Sequence, residues 1–187
     1  MPNRLKIEDI ITHSLGGDLQ KNALNFFAYV RENKLSVTTK NYEKGDYVIK
    51  YRGKGLCTMR IGKDCITLAP YAEYTDESFE SYMKELNLQD ILWDNLYKCI
   101  RCGNRTNVCV KETGKSEETF KGYTKIYFGK EFDDTCKHWN ARFYNPDGKA
   151  FDCIIKMMEY KRDTIVNNQW RKHCESDISK SISNQIK

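Results

Sequence analysis

Apolar side chains recur early in the chain with the spacing of an amphipathic helix. The pattern predicts a helix from Asp18, which can serve as its N-cap, to about Asn33. A shorter helix is predicted around residues 7–12, and Gly16 and Gly17 end it. Aromatic stripes of this kind are typical of core packing. The stripe occupies positions i, i+3, i+4 and i+7 and consists of Ala23, Phe26, Phe27 and Val30.

The pattern then changes to short runs that are rich in β-branched and aromatic residues. Glycine-containing turns of hairpin length separate the later runs, which predicts an antiparallel meander. In two of these runs one face is more apolar than the other, as expected of a sheet covered on one side. Cys57 and Cys65 lie within the runs and are interpreted as small buried apolar residues. The predicted strands are residues 35–39, 47–52, 56–61 and 65–68.

Helical stripes return after Pro70, and a long helix closes the chain. The second stripe leads directly to Cys99, and the polar residues 103–122 that follow are expected to form a loop. Residues 123–128 have strand character and end at Gly129. The predicted helices are residues 76–87, residues 88–98, and a final helix of roughly 15–20 residues that begins after the turn at 145–147.

These elements predict an α+β fold in which an antiparallel β-meander packs against helices, with a small Cys₄ zinc lobe and a C-terminal helix. We expect one domain over residues 1–175, including the lobe at about 98–140. Residues 176–187 form a polar tail that is prone to fraying or disorder.

Composition and charge narrow the functional classes only slightly. The chain has 187 residues and a formal net charge of +5, which permits an acidic partner without requiring one. No run reaches the roughly 18 apolar residues of a membrane span. The first residues lack the apolar core of a secretory signal and carry Glu8 and Asp9. We therefore expect a cytoplasmic protein without a membrane partner, whose eight cysteines are reduced.

The strongest chemical signal is a cluster of cysteines. Cys99 and Cys102 lie three residues apart with Gly103 behind them, which is the form of a zinc knuckle. Cys109 and Cys136 bring the number of thiolates to four, and four thiolates close a tetrahedral zinc site that is structural and has no open position for catalysis.

Several sequence motifs together resemble a family of small cytosolic firmicute proteins. The motifs are YRGKGLCTMRI, CIRCG, YFGKEFDDTC and NPDGKAFDCIIKMMEYKR, within roughly residues 20–166. The front half is also similar to the YdhG-like small α+β proteins. The resemblance implies the fold described above and supports the zinc set of Cys99, Cys102, Cys109 and Cys136, but it implies no activity.

Other interpretations of the thiols point toward enzymes. A redox-active CxxC pair is one, although such motifs usually follow a strand and open a helix, whereas this one is predicted to follow a helix. A nucleophilic pair of Cys136 and His138 is another, and free thiols without a role are a third. The sequence contains no Gly-rich phosphate loop and no HExxH motif.

Two candidate binding surfaces remain. Residues 98–125 contain seven basic and three acidic residues, a local charge of +4, so weak, salt-sensitive nucleic-acid binding is an alternative. The basic candidates are Arg101, Arg105, Lys121 and Lys125. Separately, an aromatic cleft between the meander and the predicted helix 88–98 would accept a flat or cationic small molecule. Its candidate residues are Tyr47, Tyr51, Tyr71, Tyr74 and Trp93, which could equally pack as core.

The leading functional hypothesis is a zinc-stabilised, non-enzymatic binding module for a small molecule or a protein partner. A nucleic-acid-binding regulator that uses the basic zinc lobe is the first alternative. A thiol- or metal-dependent enzyme is the second. The sequence identifies neither the ligand nor the oligomeric state.

Overall fold

Two helices open the part of the chain that the computed structural model describes, which comprises residues 6–41, 44–71, 77–98, 123–136 and 141–185. Helix α1 spans Ile7–Ser14 and α2 spans Gly17–Glu32. The N-cap of α2 is Gly16, so Asp18 lies one step inside the first turn, where its charge still favours the helix dipole. The predicted apolar face is confirmed, since its four members are all buried: Ala23, Phe26, Phe27 and Val30.

The predicted meander is confirmed. Each of its strands pairs antiparallel with the next one along the chain. Bulges interrupt the register after Thr39 and after Ile49. The strands are β1 (Ser36–Asn41), β2 (Asp46–Tyr51), β3 (Lys54–Gly62) and β4 (Cys65–Pro70).

The helices that follow the meander are shorter than predicted. Helix α3 spans Glu77–Glu85, and α4 spans only Gln89–Asp94. The helix ends because the Asn95 side chain donates to the Ile91 carbonyl at 2.8 Å, a local bond that competes with further helical turns. The prediction of a helix through residue 98 is therefore wrong, and Leu96 and Lys98 instead form bridges with two later segments of the chain.

A two-stranded hairpin follows, consisting of β5 (Tyr123–Tyr127) and β6 (Lys130–Thr135). Its two-residue turn has positive φ at Phe128 and at Gly129, the backbone pattern of a tight primed hairpin turn. Strand β6 was not predicted, because its sequence KEFDDT is too polar to show a strand pattern.

The last two elements are a short strand and a long helix. Strand β7 (Phe143–Tyr144) pairs with β4 and completes a five-stranded sheet of order β1-β2-β3-β4-β7. Helix α5 (Gly148–Gln185) is 38 residues long and extends into the segment predicted as a tail. No glycine or proline follows Gly148, so nothing in the sequence stops the helix where its apolar stripe ends.

The described helices cover one face of the five-stranded sheet and leave the other face open. The helices pack on the first, where Ile49, Cys57, Ile66, Leu68 and Phe143 are each 0% exposed. These features confirm the α+β class with helices on one side of a meander. In the described part of the chain no helix is both long and apolar enough to cross a membrane. The opposite face, called the open face here, carries the alternate residues Ser36, Thr38, Lys40, Asp46, Val48, Lys50, Thr58, Arg60, Cys65, Thr67, Ala69, Arg142 and Tyr144.

Candidate functional site

A groove lies between the first two helices and the edge strand of the sheet. It has a volume of about 460 Å³ and is formed by the start of α1, the end of α2, and β1, with Tyr47 of β2 beside them. Its floor is apolar because the stripe of α2 and the inward-facing residues of β1 meet there. The apolar residues of the lining are Ile7, Ile10, Phe27, Val30, Leu35, Val37 and Tyr47.

Charged side chains of both signs border this groove. Glu8 contacts the guanidinium of Arg31, and Lys6 lines the groove beside them. Both carboxylate oxygens of Glu8 are shielded from solvent, and Oε2 has no hydrogen-bond partner among the described residues. The side chain of Arg31 is 63% exposed, so its remaining N–H groups face solvent at the rim. The site therefore combines an apolar floor with an ion pair that has unused bonding capacity.

A second arrangement surrounds the cysteine-rich segment. Lys98, which precedes Cys99, forms a bridge with Thr135, which precedes Cys136. The Cys136 amide donates to the Tyr97 carbonyl at 3.0 Å, and the Thr135 hydroxyl donates to the Tyr123 carbonyl at 2.6 Å. The chain thus leaves for residues 99–122 and returns from them at one place, beside Cys136.

Of the predicted zinc ligands, only Cys136 belongs to the described residues. Its side chain is buried, at 2% exposed, and its thiol is free. Cys99, Cys102 and Cys109 lie outside the described residues, as does His138. Within the described ranges no group of three or more His, Cys, Asp or Glu side chains could hold a metal ion.

Two details of this region change the interpretation of its chemistry. Helix α4 ends at Asp94, and Lys98 forms an extended bridge, so extended backbone and not a helix precedes the CxxC motif. The prediction that the motif follows a helix is therefore wrong, and it no longer counts against a redox-active pair. Lys125 points inward: its ammonium donates to the Cys136 carbonyl at 2.6 Å, and burial lowers its pKa. Because the Lys125 ammonium is bonded to the Cys136 carbonyl, it is directed away from a phosphate in solvent. The other basic candidates, Arg101, Arg105 and Lys121, lie outside the described residues.

The aromatic candidates occupy several parts of the molecule. Trp93 packs on the hairpin, with ring centroids 6.1 Å from Phe128 and 6.2 Å from Phe132. Tyr47 is buried and lines the groove, whose lining residues do not include Trp93.

The remaining tyrosines lie elsewhere on the sheet. Tyr71 lies against Gly55, and Arg52 lies over the ring of Tyr51 at 5.2 Å. Tyr74 is outside the described residues. The sequence thus indicated one lining residue of the groove, Tyr47, but it missed Glu8 and Arg31, whose pairing across two helices has no local signal.

Comparisons with protein-family models, with curated proteins and with solved structures find no match. The function proposed below is therefore inferred from the geometry of the described residues.

Proposed function

We propose that this protein is a non-enzymatic binding module whose ligand site is the groove between α1, α2 and β1. The observation that supports this proposal is the groove itself, with its volume of about 460 Å³ and its largely apolar lining. Sites for small molecules are usually concave, mostly apolar and supplied with a few oriented polar groups. Glu8 and Arg31 are those groups here.

The lining defines the kind of molecule that fits. A ligand would place an apolar body against Phe27, Val30 and Val37, because these side chains offer no hydrogen bonds. A polar or charged end would lie at the rim, where the exposed guanidinium of Arg31 and Lys6 are found. We therefore propose a small amphiphilic ligand, with a short protein segment of the same character as the alternative occupant.

An apolar dye with an anionic group tests this site. We expect 1-anilinonaphthalene-8-sulfonate to bind the folded protein saturably, with its sulfonate near Arg31. Val37→Phe should weaken that binding roughly tenfold or more, because the ring occupies the space that the dye needs. The matched control is Ile126→Phe, which adds a ring at a position that is 63% exposed on β5. Binding that Val37→Phe leaves unchanged would contradict the proposal.

We further propose that a zinc ion stabilises the lobe through Cys99, Cys102, Cys109 and Cys136. The bridge between Lys98 and Thr135 supports this, because it brings the residues that precede the first and the last ligand side by side. The buried Cys136 is available as a thiolate donor at the base of the lobe. Four thiolates leave no position for a substrate or a water, so the ion would be structural. We place such a protein in the cytoplasm, where its thiols stay reduced.

Metal analysis tests the zinc site directly. Protein purified without added metal should contain about one zinc per chain. Cys102→Ser should lower both the zinc content and the melting temperature, because the binding energy of a structural metal is coupled to local folding. Cys65→Ser, in the meander, is the control and should keep the zinc. If Cys102→Ser leaves metal and stability unchanged but abolishes a thiol activity, the redox or nucleophilic alternative is the better account.

A further inference from the structure

The open face of the sheet has a continuous row of polar side chains that runs across four strands. Arg60 pairs with Asp46 on one side and with Thr67 on the other, and Thr67 pairs with Tyr144. Directly opposed residues of antiparallel strands point to the same side of the sheet. The four side chains therefore form one row from β2 to β7 on the face that the described helices leave uncovered.

The charge of this face is strongly biased. Its basic residues are Lys40, Lys50, Arg60 and Arg142, and its single acid is Asp46, which gives a net charge of +3. Arg60 neutralises that acid with two bonds, Nε to Oδ1 at 2.5 Å and Nη2 to Oδ2 at 3.1 Å. The Arg60 side chain nevertheless stays 58% exposed, so part of its guanidinium still faces solvent.

An exposed aromatic ring lies beside these charges. Tyr144 is 66% exposed at the end of the row. Next to it is a shallow depression of about 150 Å³, bordered by Lys40, Arg60, Arg142 and Thr67. Arg142 also donates one bond to the Tyr97 hydroxyl at 3.3 Å, through Nη1. Cations and hydroxyls bind phosphate oxygens, and an exposed ring offers a flat surface on which a nucleobase can stack.

We propose that the open face binds single-stranded nucleic acid, with phosphates in the depression and a base stacked on Tyr144. Charge complementarity favours this occupant, because the face is basic and its one acid is already paired. A duplex hides the faces of its bases and could not use Tyr144. A protein partner that binds through apolar contacts finds little there, since Ala69 is buried and Val48 is half-buried.

The anisotropy of a fluorescein-labelled 15-nucleotide oligothymidylate, measured with the full-length protein at low salt, tests the proposal. Tyr144→Ala should weaken binding roughly 5- to 150-fold, the usual value of one stacked base, while Tyr144→Phe should keep it. Lys40→Gln should reduce the slope of log K against log salt by about 0.7, the value for one phosphate contact on a single strand.

Controls on other surfaces separate this site from general charge effects. Lys21→Gln removes an exposed lysine from α2, and Ile126→Ala removes an exposed apolar side chain from β5; both should bind as the parent protein does. Three results would overturn the proposal: no binding at low salt, an affinity that Tyr144→Ala leaves unchanged, or equal affinity for a duplex of the same length. Loss of binding only on Arg101→Glu would place the interface in the cysteine lobe instead.

Discussion

At the scale of single residues, the tight turns depend on glycines in two different ways. Gly53 and Gly129 have positive φ values of 77° and 78°, and a Cβ built on either would meet open space. Gly45 also has a positive φ, 62°, but a Cβ there would lie 2.2 Å from the carbonyl oxygen of Ile61. The first two positions need only the backbone freedom of glycine, whereas Gly45 also needs the absence of a side chain.

This difference predicts a graded response to alanine. Gly53→Ala and Gly129→Ala should each cost about 1–2 kcal/mol of unfolding free energy, because a residue with a side chain is strained in the left-handed backbone region. Gly45→Ala should cost about 3–5 kcal/mol, because it also displaces β3 and disturbs the bond from the Ile61 amide to the Gly45 carbonyl at 3.0 Å. Urea denaturation of the three variants gives the ranking. Equal losses in all three would mean that the contact with Ile61 does not constrain the turn.

The cysteines show what residue type alone can predict. The interpretation of Cys57 as a small buried apolar residue is confirmed, because its side chain is 0% exposed. Cys153 of α5 is also 0% exposed. The same interpretation of Cys65 is wrong: Cys65 is only half-buried, because it is the first residue of β4 and lies on the open face beside Gly62. A strand pattern indicates which face a residue occupies, but the position of a strand end depends on the turn that precedes it.

At the scale of elements, the β5–β6 hairpin is attached to the helical layer by a few specific contacts. The Trp93 indole of α4 donates to the Tyr127 carbonyl at 3.2 Å and packs on Phe128 and Phe132. Glu80 of α3 accepts the Phe128 amide at 2.8 Å in the turn itself. Trp93 is thus the residue through which α4 holds the hairpin.

Two substitutions of Trp93 separate packing from hydrogen bonding. Trp93→Ala should destabilise the protein by about 2–4 kcal/mol, somewhat less than a fully buried aromatic because the ring is half-buried. Trp93→Phe keeps a ring but removes the donor to Tyr127, and it should cost about 1 kcal/mol. Chemical denaturation followed by circular dichroism measures both. If Trp93→Ala instead weakened the binding of an apolar dye without loss of stability, the predicted aromatic cleft would be supported.

The elements also mark the limit of prediction from sequence. Helix α2 and strands β1 to β4 follow from periodicity, since each buries one regular face. Strand β6 does not, because its outward-facing residues are acidic or basic and only Phe132 and Thr135 turn inward. The stripe of Leu88, Ile91, Leu92 and Leu96 suggested a longer helix, but those side chains serve a short helix and a bridge equally well. The groove was missed because Glu8 and Arg31 meet only after α1 and α2 pack together.

At the scale of the whole molecule, several ionisable groups are buried or half-buried, which favours their neutral form. Burial raises the pKa of the Cys57 thiol and raises that of Cys153 to about 12. The pKa values of the Tyr29 and Tyr127 phenols are likewise raised to about 12. Burial is the largest cause, and the nearby charges of Glu159 and Cys136, respectively, add to it. In the unfolded chain the thiols ionise near pH 8.5 and the phenols near pH 10.

These shifts predict that the fold weakens in alkaline solution. A raised native pKa means that the unfolded state loses its proton first, so the contribution of each group is complete below its unfolded pKa and disappears as the pH rises toward the native value. Above pH 9 each buried thiol should remove about 1.4 kcal/mol per pH unit, and the two phenols should add to the loss above pH 10. The unfolding free energy, measured in urea from pH 7 to pH 11, should fall accordingly.

A variant without the Cys57 thiol tests whether ionisation of this group contributes to the fall of the unfolding free energy with pH. Cys57→Ala removes one ionisable group, so the loss of stability between pH 9 and pH 10 should shrink by about 1.4 kcal/mol even though the variant starts from a lower value at pH 7. Met59→Leu, a buried substitution on the same strand that removes no proton, should lower stability without changing the slope. The slope is the informative quantity, because a cavity lowers the free energy equally at every pH whereas a lost ionisation acts only above the unfolded pKa. A slope that Cys57→Ala leaves unaltered would mean that this thiol stays protonated in both states, or ionises in both, and the alkaline loss would then have to come from Cys153 and the phenols.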